Sequence, residues 1–275
     1  MYRKVWNKCQ EAVAAIDFYT QKGIRFNSIT GFKYGKYLVT DEMVYKIDRA
    51  SEVQISFMEK DGCTIKTKVK ITDRDFRMRM VKGIRENVAG FALIDIDFPQ
   101  FDDIPALKLS NVQKAPIAAP VAVIGYQMEH ANLAIKKGII SSFCKQNGMK
   151  YIQFDAAIDR GNSGSPLIDV ETCEVIGIVG RRLMNLMEGF KKMTEIINNN
   201  MALLKEAEGK INFNDIDPIQ VLIANQNQIK RLAQEYFRSA SIVYDFALDI
   251  NQVSEFFDIA ELDKHNMVKI DIMKS

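Results

Sequence analysis

The chain has 275 residues, 47% of them hydrophobic, which is enough to fill the core of one large or two ordinary domains. Charged residues make up 26% and nearly cancel at a net +2, so no whole-chain field draws the protein to nucleic acid or an anionic membrane. No segment approaches the roughly 20 apolar residues of a membrane-spanning helix. The opening MYRKVWNKCQEAVAAIDFY carries charges and aromatics where a secretory signal needs an apolar run, and the expected location is cytoplasmic.

Cys9, Cys63, Cys144 and Cys173 are far apart, show no CxxC pairing and are accompanied by only two histidines, so they are expected to be reduced thiols rather than metal ligands. No Walker loop, dinucleotide fingerprint or metal-ligand cluster is present, and no cofactor is expected.

From about residue 12 to residue 181 the chain reads as short β-branched or aromatic runs between turn residues. Tyr37 to Thr40, Val53 to Phe57 and Thr64 to Ile71 are examples, the last two separated by the turn dipeptide Asp61-Gly62. Gly125, Gly138, Gly161, Gly164, Gly177 and Gly180 bracket the later runs. Many short strands at this spacing indicate barrels or a sandwich.

Past Gly180 the apolar residues at 183, 187, 190, 193, 197, 201 and 204 follow helical spacing, although Gly189 interrupts them. A last strand near Phe190 with a helix from about Thr194 fits equally well. Residues 209–215 form a polar connector. Asp217, Pro218 and Gln220 then supply an N-cap, a first-turn proline and an N3 partner for a long helix. Its apolar positions, Leu222, Ile229, Leu232, Tyr236, Ala240, Val243 and Ala247, recur at three to four residues, as in a packed helix pair or a partner-binding coil. A short helix over 253–262 and a strand-like run over 267–273 complete the tail.

The densest motif is Gly161-Asn162-Ser163-Gly164-Ser165-Pro166, followed by Leu167-Ile168 and the run Glu174 to Gly180. Glycines on both sides let the backbone turn sharply and bring amide N–H groups toward one point while the serine hydroxyl faces outward. The segment resembles the nucleophile loop of the trypsin-like serine proteases, nearest to their Deg/HtrA branch. Thr30-Gly31-Phe32 with Tyr37 to Val44, Gly90 to Ile96, and Val121 to Tyr126 with Gly138 to Ser142 resemble further landmarks of that family, in the family's order.

The resemblance implies a mainly β fold of two six-stranded barrels followed by a C-terminal helical extension. Residues 1–208 are assigned to the barrel domain with its closing helix, the first barrel at about 12–110 and the second at about 115–193. Residues 209–275 are assigned to the extension. It also implies Ser163 as nucleophile, the amides of Gly161 and Ser163 as oxyanion hole, and Ala157, Ile178 and Gly180 as the primary pocket. Met43 stands at the position of the catalytic histidine, and Gly90 at that of the catalytic aspartate.

A serine hydroxyl is a poor nucleophile at neutral pH without a base in hydrogen-bond reach, and a thioether cannot take its proton. Efficient triad proteolysis is therefore not expected. His130, in the loop between Gly125 and Gly138, is a candidate replacement base. His265, beside Asp263 and Lys264, reads as a surface residue. Asp41, Glu42 and Asp95 flank the degenerate positions, and Asp95 is expected to be solvated or ion-paired.

The expected function is a pseudoprotease that binds an extended peptide or a protein partner by strand addition, without nucleic acid or membrane, and assembles through its C-terminal helices. The alternatives are an active hydrolase using Ser163 with a non-family or partner-supplied base, and a structural scaffold subunit.

Overall fold

The runs of β-branched and aromatic residues form strands, and the turn residues end them. The protein is described by a computed structural model over residues 1–84, 90–110, 115–146, 148–181, 186–210, 217–239 and 245–253. Helix α1 (Tyr2–Cys9) precedes β1 (Val13–Tyr19), β2 (Arg25–Tyr34), β3 (Tyr37–Thr40), β4 (Glu52–Met58), β5 (Ile65–Thr72), α2 (Asp73–Met78), β6 (Met80–Ile84) and β7 (Phe91–Asp95). These strands form one antiparallel seven-stranded sheet in the order β5-β4-β1-β2-β3-β7-β6.

The second half contains β8 (Pro120–Gln127), β9 (Asn132–Gln146), β10 (Met149–Asp155), β11 (Pro166–Asp169), β12 (Val175–Arg181) and β13 (Asp245–Asp249). They close into a six-stranded barrel in the order β10-β13-β12-β11-β8-β9. The mainly β, trypsin-like architecture read from the sequence is present, with one adjustment: the first half is a seven-stranded sheet rather than a six-stranded barrel.

Asp61-Gly62 does form the β4–β5 turn. Gly62 has a φ of +75°, and the Asp61 carboxylate accepts from the amides of Cys63 and Thr64, both at 2.8 Å. Three apolar clusters hold the strands. One fills the first sheet around Phe18, Phe57 and Phe101, and one fills the second barrel around Val123, Leu167 and Val179. The third joins the two halves through Phe32, Ile124, Tyr151 and Ile178. Each such side chain removed from water contributes roughly 1.5–3 kcal/mol. Arg25 adds a polar tie between the halves, donating to the Tyr126 hydroxyl at 3.1 Å and the Met128 carbonyl at 3.0 Å.

Helices α3 (Leu186–Ala207) and α4 (Pro218–Ser239) make a separate compact unit, residues 183–243, while residues 1–182 and 244–275 make the other. Helix α3 runs through Gly189, which decides between the two readings of that segment. Asp217 caps α4, its carboxylate accepting from the Ile219 amide at 2.8 Å, and Pro218 is the first helical residue. Gln220 donates to Glu208 at 3.4 Å rather than reaching back to the cap. Lys230 donates to Asn198 at 2.8 Å between the helices, while Leu203, Val221, Leu232 and Tyr236 stay exposed.

The sequence placed Ala247 on the same long helix, but α4 ends at Ser239 and residues 245–249 are a strand. That strand pairs with both β10 and β12, so its backbone groups are satisfied on two sides and the barrel closes. The helical pair is therefore an insertion between the fifth and sixth barrel strands, not an extension beginning at residue 209. Ala240, Val243, His265, the expected helix over 253–262 apart from Val253, and the expected strand over 267–273 lie outside the described residues.

Candidate active site

The loop between β10 and β11 needs two left-handed residues, Gly161 at φ +100° and Gly164 at φ +84°. Asn162 shapes its first turn. Its amide donates to the Asp159 carbonyl at 3.1 Å, its Oδ1 accepts from the Asp159 amide at 2.9 Å, and its Nδ2 donates to the Tyr126 carbonyl at 2.9 Å. Gly164 donates to the Val179 carbonyl at 2.7 Å, and Ser165 to the Asn162 carbonyl at 3.0 Å. The amides of 162, 164 and 165 are thus spent inside the protein. Among the described residues, those of Gly161 and Ser163 have no protein acceptor.

The first sheet clamps this loop from the other side. The Thr30 amide donates to the Ser163 carbonyl at 2.8 Å, and the Thr30 hydroxyl to the Gly161 carbonyl at 2.6 Å. There is no room for a side chain at Gly164: a Cβ there would lie 2.1 Å from the Thr30 carbonyl oxygen and 2.9 Å from the Asp41 amide nitrogen.

Asp41 follows β3 and caps the short 3-10 turn Glu42–Lys46, its Oδ1 accepting from the Met43 amide at 2.9 Å. It is only 2% exposed. Burial first, and the neighbouring Glu42 second among the raising influences, push Asp41 up to about 7. The Met43 amide, Ser163 and Lys46 pull the other way. Lys46 itself pairs with Glu42 at 2.6 Å.

The other residues singled out in the sequence are dispersed. Met43 is half-buried against the apolar cluster of the first sheet, and Gly90 is buried just before β7. His130 is exposed on the turn after β8; that turn adjoins the nucleophile loop through the Met128 amide, which donates to the Arg160 carbonyl at 3.1 Å. Ala157 is exposed, Gly180 buried, and Ile178 lies within the core at 0% exposure. Asp95 is ion-paired with Lys36 at 3.1 Å and Arg79 at 3.7 Å. All four cysteines are free thiols, and no group of three potential metal ligands occurs among the described residues.

A two-half β fold with the nucleophile loop at the junction of its halves narrows the family, and a family model for the trypsin-like peptidase domain matches residues 29–178. The chain belongs to the trypsin-like peptidases. Within that family its similarity is to the Deg/HtrA branch. A Buchnera aphidicola protein named "Probable periplasmic serine endoprotease DegP-like" is 28% identical over 172 residues, 59% of this chain and 32% of that protein. The chain therefore matches about a third of that curated relative's length. In fold it resembles the HtrA-type protease AlgW, solved with a tripeptide, at a TM-score of 0.50 and 21% identity over 65% of this chain and 54% of that one. The serine endoprotease from Yersinia pestis aligns over 65% of this chain and 57% of that one, with 20% identity and a TM-score of 0.49.

The sequence reading named Asp41 only as one of three carboxylates flanking the degenerate positions. Its position two residues before Met43 was visible, but its burial against the nucleophile loop, with its amide nitrogen 2.9 Å from where a Gly164 side chain would begin, follows only from how β3 meets the loop.

Proposed function

We propose that this trypsin-like domain is a catalytically degenerate protease that holds an extended peptide or protein partner beside the nucleophile loop, in an intracellular complex. The reading rests on Met43, a half-buried thioether packed against the first sheet's core, at the position that the sequence resemblance assigns to the family's catalytic histidine. Without that base, a peptide bond next to Ser163 is expected to survive.

A backbone edge supports the binding role. Strand β11 pairs with β12 only as far as Pro166 opposite Ile178, and Val179 is then occupied by Gly164 and Ser165. Beyond Val179 no strand among the described residues lies on that side of β12, which leaves an edge suited to strand addition. The tripeptide in the AlgW structure is a precedent for peptide binding on a related fold. The exposed apolar residues of α3 and α4 are a further candidate assembly surface.

The test is fluorescence anisotropy with a library of extended, labelled peptides on the purified chain. Saturable binding of a subset, kept by Ser163→Ala and weakened about tenfold by Ala157→Trp, supports the proposal. Cleavage of bound peptide at protease rates, or no binding by any class of peptide, overturns it.

A further inference from the structure

We propose that the helical pair α3–α4 is a dimerisation module, whose uncovered face packs against the same face of a second copy of this chain to make a four-helix bundle. This gives an occupant to the assembly surface named above, and it is independent of peptide binding at the nucleophile loop.

The two helices pack on each other as a compact unit of their own. They run antiparallel: Lys230 donates to Asn198, and Gln220, earlier on α4, donates to Glu208, later in the chain than Asn198. The covered positions fall on one seam of each helix. On α3 these are Ile197, Met201 and Leu204, and on α4 they are Ile219, Ile223 and Ala233. In an antiparallel pair those seams face each other.

Each helix carries a second seam about a quarter of a turn away, and it is left open. On α3 it is Met193, Ile196, Asn200 and Leu203; on α4 it is Leu222, Asn225, Ile229, Leu232 and Tyr236. The steps alternate between three and four residues, the period at which side chains of one helix fit the gaps of another. The displacement has the same hand on both helices, so in an antiparallel pair the two open seams come to one face. Ile196, Leu203, Leu232 and Tyr236 are 60%, 65%, 53% and 71% exposed, which leaves that face without a packing layer.

Size and chemistry select a second copy. At roughly 100 Å² of open surface for each apolar side chain, the face offers on the order of 700 Å², close to the 800 Å² or so that each partner gives to a standard stable interface. A two-fold axis sets each open seam against one of matching period and chemistry. Every residue of both open seams is uncharged, so pairing them desolvates no charge. Each seam also holds one asparagine, whose amide both donates and accepts and can pair with its like, which fixes register. Lys205 and Arg231 lie on faces turned away from the open seams and stay in water.

The experiment is sedimentation equilibrium on the full chain from about 1 to 100 µM, a range suited to interfaces of this size. The expected result is a reversible monomer–dimer equilibrium. Leu203→Glu combined with Leu232→Glu should weaken it about 100-fold or more, because the new carboxylates would be buried unpaired, while Lys205→Glu should leave it unchanged. Both leucines are exposed in the single chain, so the circular dichroism of the double variant should match the parent's. A parent chain that is monomeric throughout, a stoichiometry other than two, a double variant that dimerises as the parent does, or equal weakening by Lys205→Glu each overturns the proposal. Should the double variant fail to fold, Tyr236→Glu decides by the same criterion. Peptide anisotropy on the double variant reports separately whether binding beside the nucleophile loop stands.

Discussion

The Thr30 hydroxyl donates to the Gly161 carbonyl at 2.6 Å and accepts from the Tyr126 amide at 2.8 Å. One fully buried side chain of the first sheet thereby holds both the nucleophile loop and a strand of the second barrel. Thr30→Val keeps the shape but leaves a buried carbonyl and a buried amide without that partner. It is expected to cost about 1–3 kcal/mol in urea denaturation, and hydrogen exchange in residues 159–165 should speed up.

Asp41 makes stability depend on pH in a direction unusual for a carboxylate. Its folded value, about 7, lies above the ordinary value, so the folded state binds the proton more tightly than the unfolded one. Its favourable contribution is complete at low pH and is lost as pH rises from about 4 through about 7. Asp41→Asn removes this loss. The variant should be near the parent in stability below about pH 4 and more stable at pH 8, read as a denaturation midpoint gap that widens with pH.

Gly164→Ala should be severely destabilising. The site demands a positive φ, and the new methyl group would lie 2.1 Å from the Thr30 carbonyl oxygen and 2.2 Å from the Thr40 hydroxyl oxygen. A loss of about 3 kcal/mol or more is expected from the thermal midpoint. Near-parent stability would mean that strand and loop are less tightly apposed than described.

Ser165 tests the opposite case. Its hydroxyl is at 0% exposure and has no hydrogen-bond partner among the described residues. Ser165→Ala removes an uncompensated polar group and should leave the protein as stable as the parent or about 1 kcal/mol more stable, measured by urea denaturation at pH 7.

Much of the fold was legible because strands and tight turns carry local signals. Tyr37 to Thr40 is β3, the Asp61-Gly62 turn sits between β4 and β5, and Asp217-Pro218 opens α4. The glycines of the nucleophile loop announce its sharp turns, two of which have the positive φ that favours glycine. Residues 245–249 were misread because Val243 and Ala247, four apart, satisfy helical spacing. Pairing with β10 and β12 outweighs that spacing, and the partners are about 65 to 100 residues away in the chain.

By itself, the sequence determined the class of fold, the serine loop and the absence of an imidazole at Met43, since each is written in residue type and short spacing. The tertiary structure alone decided that a strand after the helical pair closes the second barrel, and that Asp41 is buried against the nucleophile loop at Gly164. Those outcomes depend on which distant backbones pair and on how much water they exclude, and neither quantity is carried by any local run of residues.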